Sequence, residues 1–89
     1  MRAVIYTSQF KRDFKKLRLK KDDECRFVEV VDALIGDAPM DARYRDHALT
    51  GNWVGCRECH LKPDLLVIYK PEEDVVKLVR IGSHSNLFR

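Results

Sequence analysis

The second half of the chain confines the fold most tightly. Trp53 to Leu61, Leu65 to Lys70 and Val75 to Ile81 are three strand-like runs, joined only by the turn formers Lys62-Pro63-Asp64 and Pro71 to Asp74. Connections this short link antiparallel neighbours, so the region predicts a three-strand meander. A meander needs cover for at least one face, and the upstream sequence supplies it.

Arg2 to Thr7 reads as a further strand. Ser8 then offers an N-cap to a helix with Phe10, Phe14 and Leu17 at i, i+4 and i+7. Asp22 or Asp23 caps a second helix carrying Phe27, Val30, Val31, Leu34 and Ile35, which Gly36 and Pro39 end. Residues 38 to 52 lack sustained periodicity and read as a loop. The expected class is α+β in the order β-α-α-β-β-β, with two N-terminal helices packed on a mainly antiparallel four-stranded sheet whose other face stays available. At 89 residues, one core and one domain over 1–89 are expected.

Several classes fall away. No stretch approaches the ~18 to 20 apolar residues that span a bilayer, and Met1 to Tyr6 lacks the apolar core of a secretory signal. The expectation is a cytoplasmic protein with no membrane partner. Cys25, Cys56 and Cys59 are an odd set, expected to stay reduced. Between Lys11 and Lys21 seven cations face Asp13 alone, a density that attracts phosphate backbones or an acidic protein.

The chemistry-bearing residues are few. His47, His60 and His84 each fall at or near an element end, and strand alternation puts Glu58 and His60 on one face with Arg57 on the other. Metal-free RNA cleavage needs a base for the 2′-hydroxyl, an acid for the leaving 5′-oxygen and a cation for the phosphorane. Imidazole suits the first two, since its ordinary pKa of ~6.5 lies near neutrality. Trp53, Tyr69 and Phe88 are the aromatic candidates for stacking on a base, with Trp53 and Tyr69 better suited to the core. Cys56-x-x-Cys59 followed by His60 superficially resembles half a zinc site. Its odd spacing on a strand splits the thiols between faces, and no second ligand pair follows. No metal or other cofactor is therefore expected.

Three blocks carry a resemblance: Asp46-His47-Ala48-Leu49-Thr50-Gly51-Asn52-Trp53, then Arg57-Glu58-Cys59-His60-Leu61-Lys62-Pro63-Asp64, then Arg80-Ile81-Gly82-Ser83-His84-Ser85-Asn86-Leu87-Phe88. In order and separation they resemble the YafQ family of the RelE/ParE toxin superfamily, whose pattern is D-H-x-L-x-G-x-W, R-[DE]-x-H-[VIL]-x-P-D and R-x-G-[ST]-H-x-x-L-F. The resemblance implies a RelE-like, microbial-ribonuclease-like fold and a toxin paired with an antitoxin. It further implies that the activity is cleavage of mRNA in the ribosomal A site. By position it makes His47, His60, Asp64 and His84 catalytic, and Phe88 a base-stacking residue beside Arg80. On this reading His84 and either His47 or His60 share acid and base work, Asp64 orients an imidazole, and Arg80 steadies the phosphorane. Lys11, Lys15 and Lys16 then contact ribosomal RNA. The alternative keeps the fold without the nuclease: a ParE-like toxin binding DNA gyrase, a branch that usually lacks this histidine set. A DNA-binding module built on the lysine-rich helix finds no helix-turn-helix signature to support it.

Overall fold

The computed structural model describes residues 2–88. Strand β1 (Ala3–Tyr6) leads into α1 (Ser8–Lys16) and α2 (Lys21–Ile35), and the remaining strands are β2 (His47–Ala48), β3 (Arg57–Lys62), β4 (Leu65–Pro71) and β5 (Val75–Gly82). A one-turn helix, α3 (His84–Leu87), follows.

Both helices start earlier than the sequence suggests, α1 by one residue and α2 by two or three. Thr7, not Ser8, caps α1: its hydroxyl accepts from the Phe10 amide at 3.0 Å. Lys20 precedes α2, and the Asp23 carboxylate three residues on accepts from the Lys20 amide at 3.3 Å. Asp22, Asp23 and Glu24 place negative charge in the first turn of α2, where the helix dipole favours it.

The sheet has five strands, one more than expected, in the order β1-β5-β4-β3-β2. The meander β3-β4-β5 is antiparallel as read, whereas β1 runs parallel to β5 with Ala3 beside Val75. The additional strand is β2, two residues inside the segment read as loop, pairing His47 with Glu58 and Ala48 with Arg57. Two residues are too few to produce alternation, so periodicity passes over them. The expected strand start at Trp53 is also displaced. Gly51 and Gly55 adopt φ of 64° and 90°, turning residues 51–53 into a 3-10 turn and delaying β3 to Arg57.

Both helices cover one side of the sheet. Phe10, Val30, Leu34, Val67, Tyr69, Val76 and Leu78 form the centre of that core, and Phe10 stacks on Phe14 and Phe27 with centroids 6.0 and 6.1 Å away. The other side, expected to be available, is partly closed. Leu66, Ile68 and Leu87 make a second small cluster with Leu49, Trp53, Cys56 and Val79. Cys56 and Cys59 belong to different clusters, as the odd spacing requires. Among the described residues, no helix is long and apolar enough to cross a membrane.

Candidate active site

Alternation along β3 turns Cys59 and Leu61 into the helix-side core and leaves Glu58 and His60 on the opposite side. Glu58 is buried, and its Oε1 lies 2.8 Å from His60 Nε2 and 3.9 Å from His47 Nε2. A carboxylate can only accept, so His60 Nε2 donates and its ring orientation is fixed. His47, brought opposite Glu58 by the short β2 ladder, places Nδ1 2.7 Å from the Arg45 carbonyl. A carbonyl oxygen also only accepts, so Nδ1 carries the proton and the neutral ring keeps its lone pair on Nε2, the atom facing Glu58.

The third imidazole arrives from β5. Register sets Leu66 opposite Gly82 and His60 opposite Leu66, so the residues after Gly82 emerge beside His60. The His60 and His84 rings lie 5.6 Å apart, and those of His47 and His60 6.2 Å apart. Asp64, at the tip of the β3-β4 turn, accepts from the His84 amide at 3.0 Å and lies 3.5 Å from His84 Nδ1. Ser83 caps α3 by accepting from the Asn86 amide, and Leu87 inserts into the second cluster beneath. Phe88, still 37% exposed, packs 5.9 Å from His84 and edge-on to Trp53 at 6.0 Å. The result is one continuous row of rings: His47, His60, His84, Phe88, Trp53.

His47, His60, Asp64, His84 and Phe88 are thus brought together. Arg80 is placed differently. Its guanidinium is bound by Asp13 of α1, with Nε–Oδ2 at 2.7 Å and Nη2–Oδ1 at 3.1 Å, and not by any histidine. Burial alone would raise the Asp13 carboxyl, but hydrogen bonds from Arg80, Gln9 and the Ile81 amide outweigh it and hold the pKa below its ordinary value. Lys16 and Arg80 line one cleft with Gly82 and Asn86, so the basic helix borders the end of the row. Among the described ion pairs none uses Lys11, Lys15 or Lys16.

One further residue of the site, Arg45, is not singled out by sequence, and two, Glu58 and Trp53, are named there without a catalytic role. Glu58 shares its face with His60 by alternation, yet nothing in the pattern shows that it is buried between two imidazoles. Arg45 lines a small recess with His60, Lys62 and Arg43. Arg43 is tied to Glu29 and Lys62 to Asp23, whereas Arg45 has no ion pair among the described residues. Trp53, read as core, is half-buried against Phe88.

His47, Glu58 and His60 offer ligand atoms within 4.8 Å of one another, a set that would suit an imidazole-preferring divalent ion. Cys59 does not join it. Burial, reinforced by Asp46 and Glu58, pushes its thiol up to about 12, so it is protonated and faces the core.

Residues 2–89 match the YafQ family, described as bacterial toxins of type II toxin-antitoxin systems. The chain is 33% identical over 88 residues to the mRNA interferase toxin YafQ of Escherichia coli K12, an alignment covering 98% of this chain and 96% of that protein. Among solved structures it is similar to a copper-bound mutant toxin from Helicobacter pylori, with a TM-score of 0.91 and 41% identity over 99% of this chain and 100% of that one. It is also similar to YafQ in the E. coli DinJ-YafQ complex, with a TM-score of 0.87 and 32% identity over the whole of both chains.

Proposed function

Starting from a chain that belongs to the YafQ family of type II toxins, we propose that it is an endoribonuclease that cuts mRNA in the ribosomal A site in the cytoplasm. A cognate antitoxin holds it inactive, as the relative crystallised with DinJ suggests. The convergence of three imidazoles and Phe88 on one open edge, from segments far apart in sequence, carries this reading.

The hydrogen bonds support the following division of roles. The lone pair on His47 Nε2 makes His47 the candidate base. It takes the 2′-hydroxyl proton as the 2′-oxygen bonds to phosphorus. As the bond from phosphorus to the 5′-oxygen breaks, a protonated imidazole supplies that oxygen with its proton. His84, oriented by Asp64, is the candidate acid. The products are a 2′,3′-cyclic phosphate and a 5′-hydroxyl end. Glu58 aligns His60 and faces His47, and Phe88 stacks on an unpaired base. Arg80, held by Asp13, and Arg45, in the recess beside His60, take the phosphate charge. Lys11, Lys15 and Lys16 add attraction to ribosomal RNA that weakens as salt rises.

Copper or a similar ion would be held by His47, Glu58 and His60, where it would supply Lewis acidity. Coordination through His47 Nε2 would occupy the lone pair that takes up the proton in the metal-free route. The gyrase-binding alternative leaves the three-imidazole row without a use.

Primer extension on a defined mRNA in a purified translation system tests the reading. The wild-type chain is expected to cut at fixed positions within codons, and only with ribosomes. His84→Ala should reduce cleavage by roughly 100-fold or more with its circular dichroism unchanged. No cuts from folded wild-type protein, or undiminished cuts from the variant, would overturn it.

A further inference from the structure

His47 occupies the weakest position in the sheet. It lies on the outermost strand, is exposed, and belongs to a ladder of two residue pairs. A ladder so short at an edge frays readily, and general-base geometry tolerates little misplacement. Something besides β2 must therefore hold this ring.

The neighbouring residues supply the restraint. Asp46 turns its side chain to the opposite side of the strand from His47, where Arg57 Nη2 donates to Oδ2 at 3.0 Å and Arg57 Nε at 3.3 Å. The Tyr69 hydroxyl donates to the other oxygen, Oδ1. Tyr69 is only 2% exposed and sits mid-sheet in β4, so the carboxylate is anchored to a rigid part of the molecule. Just before Asp46, Arg45 adopts φ 50°, a left-handed conformation uncommon for residues with a side chain. That turn aims the Arg45 carbonyl at His47 Nδ1, 2.7 Å away. The direction of this carbonyl is fixed by the backbone between the left-handed residue and the anchored Asp46.

We infer that Asp46, gripped by Arg57 and Tyr69 on the far side of the sheet, is a positioning residue that fixes the tautomer and orientation of His47. The inference rests on the nuclease reading for its effect on cleavage, though its structural content stands apart from it. Asp46 reaches no substrate and acts only through His47. A charged, two-pronged carboxylate contact is among the strongest available side-chain restraints, and a buried phenol adds direction without bulk. Burial, with Asp46 beside it, raises the Tyr69 hydroxyl pKa and so keeps it a donor.

Tyr69→Phe removes one oxygen, and Asp46→Asn removes the charge while keeping the shape. Each should lower kcat for ribosome-dependent cleavage by about ten- to a hundredfold, leaving KM unchanged. Introduced into a His47→Ala chain, neither should reduce cleavage further, because residues acting through one another are non-additive. In NMR spectra of the free protein, the His47 Nδ1 proton should be protected from exchange in wild type and exchange faster in both variants. Equal losses with and without His47 would overturn the inference, as would an unchanged His47 signal with full activity. If wild-type protein cuts nothing, the nuclease reading fails, and proton exchange alone still decides the positioning claim. If one variant does not fold, the other decides.

Discussion

Val67 and Ile68 are adjacent in β4 and both fully buried, yet what covers them differs. Val67 faces the side where Phe10, Val30 and Leu34 from two long helices close the core. Ile68, with Leu66 beside it on the same strand, faces a cover of Leu87 and a few half-buried residues, most of them contributed by short turns. Past that small cover the apolar surface stops, and Glu58, His60 and His84 begin. On the first side every contact adds to stability through apolar area removed from water. On the second, just enough is buried to fix the backbone, and polar side chains satisfy one another in reach of a substrate. The larger core lies on one side of the sheet and the candidate site on the other.

The largest test of this division is Phe10→Ala. It should cost about 3–5 kcal/mol in urea denaturation, whereas His84→Ala should stay within about 0.5 kcal/mol. A reversal would mean that the histidine row, not the helix side, holds the fold. Next comes Glu58→Gln, which keeps an acceptor near His60 but removes the charge. Cleavage should fall by about tenfold or more with little change in the denaturation midpoint. A large loss of stability instead would make Glu58 part of the core. Third, added copper(II) should suppress cleavage, EDTA should restore it, and Glu58→Gln should weaken the inhibition. Stimulation by copper would show that the metal serves the reaction.

The smallest effect concerns the one strong charge contact between α1 and β5. Asp13 has a lowered pKa in the folded state, so its bond to Arg80 contributes fully above the ordinary value of 3.8 and is lost as pH falls through the lowered value. Asp13→Asn should therefore destabilise by on the order of 1 kcal/mol near neutrality. The difference from wild type should vanish in strongly acidic solution. A difference independent of pH would assign Asp13 a packing role.

Local pattern made the helix side legible. Phe10 and Phe14, or Val30 and Leu34, recur at helical spacing, and the turns at Lys62 to Asp64 and Pro71 to Asp74 force the meander. The histidine side was legible as a set of residues but not as an arrangement. His47 and Glu58 meet through a ladder too short to leave a periodic trace. The Arg80 bond to Asp13 joins residues from the first helix and the last strand, and no local signal reports such a pairing. Asp64 and His84 are intermediate: once the β3-β4-β5 register is drawn, the tip of one turn necessarily meets the end of β5. The parallel seat of β1 beside β5 depends on contacts across nearly the whole chain, which alternation in Arg2 to Thr7 cannot indicate.

That seat has a consequence for how the protein comes into being. β1 is synthesised first, but its only strand neighbour, β5, is synthesised after every other strand. While the nascent chain lengthens, Ala3 to Tyr6 must wait, and a product that stops before Val75 has neither a place for β1 nor the residues that carry His84 and Phe88. Slow, long-range closure of this kind makes completion nearly all-or-none.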